Sequence, residues 1–211
     1  MWDFTSRQRG PLAPIGAITA PGQRARSAFV THYGPVPAFR PERWKFRVFG
    51  ATAFGAAHDL TLEQLHGLPT AQLTADLHCV TKRTWPDNNW GGVLVSTVLD
   101  LVPPAADVTH MMVWAEYGYS ANLRLSDVTD GRAILATHHH GEPLSLEHGF
   151  PLRLVTPHLY GYKGPKWVRG IEYMVGDRRG FWEERGYHNR GEVRHEQRYS
   201  YQEAPDEGPP L

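Results

Sequence analysis

From Trp44 to Val48 the order Trp-Lys-Phe-Arg-Val alternates apolar and charged side chains, the period of a half-buried strand. Gly50 to Gly55 follows as a turn. Thr61 stands before Leu62, Glu63, Gln64 and Leu65 as an N-cap stands before a short helix, and Gly67 and Pro69 end it. Leu73, Ala75 and Leu77 then predict a strand that delivers Cys79. The apolar positions of 93–101 fit helix and strand spacing alike. With Pro103–Pro104 closing them, they are predicted as a second short helix, by analogy with the preceding unit. The run from Met111 to Ser120 predicts one strand. Residues 133–140 and 151–155 predict two more, joined by a turn at Gly141–Glu142–Pro143, and 167–174 a further one.

Strands outnumber helices and do not alternate with long helices, so the pattern predicts an α+β fold with mixed sheets, not a doubly wound parallel sheet. Residues 1–28 are rich in Pro, Gly and Arg without an apolar period and read as an extended arm. One domain is expected over 29–202, and 203–211 as a loose acidic tail. With 41% hydrophobic residues in 211, the chain can bury a sizeable core.

Charge narrows the possible partners. Lys plus Arg and Asp plus Glu both total 22, which predicts no steering toward nucleic acid or an anionic membrane. The seven tryptophans are accordingly expected in the core and pocket walls, not on a base-stacking platform. No stretch of about 18 apolar residues and no apolar leader is readable, so a cytoplasmic location without a membrane span is expected. A single cysteine makes no intramolecular disulfide and leaves Cys79 available for chemistry.

Cys79 ends an apolar strand and is followed by Lys82, Arg83, Trp85 and the trio Asp87–Asn88–Asn89, read as a loop. Cationic neighbours favour the thiolate, the form that binds soft metals. A buried core cysteine and a nucleophile are the alternatives on composition. Further on, the period of two in 151–155 sets Arg153 and Val155 opposite Leu152 and Leu154, so Arg153 is either solvated or a buried anion ligand. The glycine-punctuated loop Tyr160 to Lys166 brings Lys163 and Lys166, and Arg with Lys is a natural phosphate pair. His138, His139 and His140 are consecutive in a strand, so they alternate faces and do not converge on one ion.

The run GEPLSLEHGFPLRLVTPHLYGYKGPKWV, from Gly141 to Val168, resembles the signature of the sulfite oxidase superfamily of molybdopterin oxidoreductases. The strand ending in Cys79 and its Trp-Gly-Gly-Val turn resemble the metal-binding segment of that family. THYGPVP from Thr31 resembles its opening element, and the whole likeness spans about residues 29 to 190. The resemblance implies molybdenum held by a molybdopterin dithiolene and by the Cys79 thiolate. It implies His32, His148, Arg153, Gly164 and Lys166 around the pterin and its phosphate, with Tyr187 and Arg83 near the substrate. It further implies two-electron oxygen-atom transfer to or from a small oxo-substrate, in either direction. No Cys-x-x-Cys-His haem motif is present, so a separate electron-transfer partner is expected, and a monomer. Sulfite oxidases proper carry arginine where this chain has Thr31, and an arginine pair where it has Arg83–Thr84. The sulfite-binding set is therefore incomplete. The alternative from another class is a non-catalytic domain that binds a small anion or pterin.

Overall fold

A computed structural model describes residues 20–25 and 30–211. Its strands are β1 (Arg24–Ala25), β2 (Lys45–Gly50), β3 (His58–Thr61), β4 (Ala71–Cys79), β5 (Arg83–Leu94), β6 (His110–Ala115), β7 (Ser120–Arg124), β8 (Ile134–His139), β9 (Glu142–Pro143), β10 (Arg153–Val155) and β11 (Val168–Met174). Two short helices, α1 (Leu62–His66) and α2 (Val95–Leu101), complete it with several 3-10 turns. No helix among the described residues is long and apolar enough to cross a membrane.

The strands form two mixed sheets. In one, the order is β3-β2-β11-β6-β7, with β11 parallel to β2 and the other pairs antiparallel. In the other, β5 is paired along one edge by β4 and along the other by β8 and, at Arg83–Thr84, by β1 in parallel. β10 and β9 complete this sheet on β8. Phe46, Val48, Val113 and Ile171 of the first sheet and Val93, Leu135 and Leu154 of the second share one core, which Val95 and Val98 of α2 fill. Ile134 and Ala136 lie in a separate cluster with Trp90 and Leu73, so β8 is buried on both faces. Gly92 allows the close approach of β5 to β8, since a Cβ there would lie 2.2 Å from the Leu135 carbonyl oxygen.

Local chemistry explains most element boundaries. Thr61 Oγ1 accepts from the Gln64 amide at 3.2 Å and Gln64 Oε1 accepts from the Thr61 amide at 2.8 Å, a reciprocal capping box on α1. The run from Met111 to Ser120 is two strands and not one: Tyr117 and Gly118 take positive φ and fold it into the β6–β7 hairpin. The segment after Cys79 is the twelve-residue β5 and not a loop. Its polar residues are accommodated by a register shift opposite Ala75–Leu77 and by the positive φ of Asp87.

Described residues at both ends make specific contacts with the body of the fold. Ala20 is buried, Gln23 donates to the Cys79 carbonyl, and β1 is paired, because the edge of β5 offers open backbone groups there. Residues 1–19 and 26–29 lie outside the described residues. At the other end, Arg179 makes a two-pronged ion pair with Glu203 and donates to the Pro209 carbonyl. The Asn189 amide donates to Glu203 as well. Behind these contacts Lys163, 1% exposed, donates to Asn122 Oδ1 (2.7 Å), Glu183 Oε1 (2.5 Å) and the Asn189 carbonyl (2.8 Å).

Breaking a buried pair strands the surviving charge, so Lys163→Met is expected to cost about 3–5 kcal/mol in urea unfolding. The double variant Lys163→Met with Glu183→Gln should recover part of that loss. Equal stability of wild type and Lys163→Met would refute the importance of the pair.

Candidate active site

β4 ends at Cys79, and the chain turns through Val80–Lys82 into β5, where Arg83 lies directly opposite Cys79 in the register. The Thr81 hydroxyl donates to Cys79 Sγ at 3.0 Å. Cys79 packs beside Trp182 and Tyr187 on a small cluster that contains Val80, Tyr160 and Tyr162. The Tyr187 ring is 5.1 Å from both Tyr162 and Trp182, and its residue is bridged to Tyr199. Burial raises the Tyr187 hydroxyl above its ordinary range, aided by Tyr199 and by Cys79. Tyr187 therefore stays protonated at neutral pH.

Arg153, alternating with Leu152 and Leu154 of the main core, points from β10 to the other side of the sheet and is 4% exposed. Its guanidinium lies 5.0 Å from the Trp90 ring and donates to the His148 carbonyl at 3.2 Å, while buried Nε has no partner. Lys166 donates to the carbonyls of Thr31 (2.9 Å) and Glu147 (2.8 Å), tying two segments together over the site. His148 Nδ1 meets the Ser145 hydroxyl at 2.7 Å, which leaves Nε2 as the nitrogen that can meet a ligand.

These three groups strain one another electrostatically. Burial first, and then the Arg153 charge, lower the Lys166 amine to about 7. Burial pushes Arg153 down to about 10, and His148 is lowered by burial, Lys166 and Arg153. Three basic groups thus crowd one space, opposed in part by Glu147, an arrangement that favours an anionic ligand between them.

A cavity of about 440 Å³ unites Cys79, Arg83, Tyr187, His32, His148, Arg153, Gly164 and Lys166. That is a volume typical of cofactor pockets. Every residue that the family resemblance implied thus lines one space. The exposed His32 stands edge-on to Trp167 at 5.4 Å. Gly164 is required by packing, since a Cβ there would lie 2.7 Å from the Leu154 carbonyl oxygen. Lys163 does not face the cavity: the 3-10 turn Gly161–Lys163 sends it inward to Glu183. Tryptophans and tyrosines were expected in core and pocket walls without positions, and Tyr119, Tyr162, Trp167 and Trp182 line this cavity; Thr81 was not singled out. Only Trp167, next to Lys166, carried a positional signal. His139 Nε2 is bound to Asn88 Oδ1, and burial with His140 lowers it to about 4. Among the described residues no group of three or more His, Cys, Asp or Glu is placed to hold a metal.

The family profile described as the oxidoreductase molybdopterin binding domain matches residues 33–182. The chain belongs to this family. It is 37% identical over 183 residues to the uncharacterized oxidoreductase YuiH of Bacillus subtilis (strain 168), covering 86% of this chain and 91% of that one. The putative protein-methionine-sulfoxide reductase subunit YedZ1 of Azospira oryzae is 27% identical, over 88% of this chain and 69% of its own. Human mitochondrial sulfite oxidase is 26% identical over 75% of this chain, which spans 34% of that protein's length. Among solved structures, the sulfane dehydrogenase SoxCD of Paracoccus pantotrophus superposes with a TM-score of 0.63 at 21% identity. The match covers 69% of this chain and 42% of that one and establishes the shared α+β fold.

The molybdopterin oxidoreductase is therefore an enzyme whose cofactor is molybdenum with molybdopterin. The cavity fits that group on its own chemistry. A cysteine sulfur and an unmatched, buried guanidinium nitrogen share one space, as an anionic organic ligand of a soft metal requires.

A lysine lowered to about 7 binds fewer protons when folded than when unfolded, from there up to its ordinary range. Its destabilisation is thus full below about pH 7 and is relieved as the pH rises through that window. An anion that pairs with the ammonium removes the penalty. Sulfate, whose charge is constant over this range, should therefore raise the melting temperature of the cofactor-free protein more at acidic than at alkaline pH. Lys166→Met should abolish that difference in differential scanning fluorimetry, and a pH-independent sulfate effect in the wild type would contradict it.

Proposed function

We propose that this molybdopterin oxidoreductase reduces a small neutral S-oxide, with N-oxides as the neighbouring class, and that sulfite is not its substrate. The observation that carries the reading is the segregation of charge within the cavity. Arg153, Lys166 and His148 perturb one another, whereas Cys79 packs among Val80, Tyr162, Trp182 and Tyr187. A dianion such as sulfite needs several cations beside the metal, and Arg83 is the one cation among the lining residues near Cys79 in the strand register. An uncharged S-oxide with apolar substituents suits an aromatic wall with one hydrogen-bond donor. The similarity to a putative protein-methionine-sulfoxide reductase subunit supports the same direction.

In this reading Cys79 ligates the metal, with the Thr81 hydroxyl donating to its sulfur. Arg153 and Lys166 neutralise the pterin phosphate, and His148, His32 and the Gly164 backbone hold the pterin. When bound, the group supplies two-electron redox chemistry coupled to oxygen-atom transfer. Tyr187, kept protonated by its burial, offers its hydroxyl to the oxygen of the S-oxide, while Arg83 orients the substrate. Tyr162 and Trp182 exclude water from that side. A separate electron-transfer partner supplies the electrons.

The test is steady-state kinetics of the loaded enzyme with reduced viologen and methionine sulfoxide, against sulfite with ferricyanide. S-oxide turnover should exceed sulfite turnover in kcat/KM by about tenfold or more, a difference of roughly 1.4 kcal/mol in transition-state binding. Preference for sulfite would overturn the proposal. Cys79→Ser should lose nearly all activity with its circular dichroism unchanged. Tyr187→Phe should lower kcat by about 10²-fold or more if the phenol donates a proton. Wild-type kcat in Tyr187→Phe would remove that role.

A further inference from the structure

On the outer side of Cys79 lies a second, open groove of about 580 Å³, lined by Gly22, Gln23, Arg24, Thr81, Lys82 and Arg83. It exists because β1 adds in parallel to β5 at Arg83–Thr84 and the Arg24 amide donates to the Lys82 carbonyl at 3.0 Å. Three of the six lining residues are cations, and none of these described lining residues is a carboxylate. Glu196, whose Oε1 lies against Gly22, is paired with Arg198. In a chain with 22 basic and 22 acidic residues, this is a local concentration of positive charge.

The groove is also adjacent to the metal-binding residue. Thr81 and Arg83 line both spaces, and the Thr81 hydroxyl reaches Cys79 Sγ. From the other wall, Gln23 Nε2 donates to the Cys79 carbonyl at 3.2 Å. Two short hydrogen-bonded routes therefore run from the floor of a basic, solvent-open groove to one cysteine.

We infer that this groove is the docking face for a small acidic electron-transfer protein. The inference rests on the oxidoreductase reading of the neighbouring cavity. Reducing one S-oxide breaks one S–O bond, takes two electrons and two protons, and releases one water. The acidic protein is the reductant, docking twice per turnover if it carries one electron. Charge complementarity selects it over other occupants. Residues 1–19 carry Arg7 and Arg9 against Asp3 alone, and a second copy of this chain is electroneutral overall. Complementary charge would speed the encounter and orient the partner's redox centre toward Cys79.

The experiment is isothermal calorimetry of the full-length chain, with and without its cofactor, using an acidic ferredoxin as the probe and a basic cytochrome c as its charge opposite. The ferredoxin should bind at about 0.02 M salt and weaken at least tenfold by about 0.5 M, because exposed charges are screened. Arg24→Glu and Lys82→Glu should each weaken it about tenfold, and the cytochrome should not bind. Ferredoxin-driven turnover of Arg24→Glu should fall in parallel while viologen-driven turnover stays at the wild-type level. Salt-independent binding, unchanged affinity in both variants, preference for the cytochrome, or release of a dimer by Arg24→Glu would each overturn the inference. Absence of viologen-driven turnover in the loaded wild type, with ferredoxin binding intact, would count against the S-oxide reading and leave the docking face standing.

Discussion

A primary ammonium taken out of water must find an acceptor for each of its three hydrogens, and in this molecule Lys163 does so from three separate parts of the chain. Asn122 belongs to β7, Glu183 begins the turn that leads to Tyr187, and Asn189 is hydrogen-bonded to the carboxylate of Glu203. One side chain thereby fixes the distance between the loop that carries Lys166 and the loop that carries the aromatic wall. Burial of Glu183 raises its carboxyl and burial of Lys163 lowers its amine, opposing directions that the close contact between them offsets. The basic loop is thus divided in function: its first lysine serves the frame, and its second serves the cavity.

Much of the frame was legible in the sequence because period and cap are local properties. β2 was read from its alternation, α1 from Thr61 and Gln64, and the face of Arg153 from the period of two in β10. β5 was not legible. Trp85 to Asn89 has the composition of a loop, and pairing with β4 along one edge, continued by β8 on the other edge from Trp90 onward, holds the strand extended. The β6–β7 hairpin was hidden because a left-handed Tyr117 before Gly118 is not a common turn signal. The contacts of Gln23, Glu203 and Glu207 were not legible for a related reason, since their partners lie outside the local pattern that surrounds each of them.

The site was legible to the extent that it is a motif. The residues from Cys79 to Lys166 that the family resemblance singled out all face one cavity. The aromatic wall was not, because Tyr119 and Trp182 reach it through tertiary packing. That Lys163 faces away could not be inferred from a spacing of three within a glycine loop, where both lysines look equivalent until a buried carboxylate claims one of them.

The contact between Lys166 and the Thr31 carbonyl joins residues 135 positions apart, and β1 meets β5 at Arg24 and Arg83, a shorter but still long-range pairing. Closing such loops carries an entropic cost that the rest of the fold must offset. The cradle therefore draws on segments from Thr31 to Lys166, most of the length of the chain. A complete cradle for the cofactor exists only once the chain is made through Lys166, so its assembly is a property of the nearly finished polypeptide.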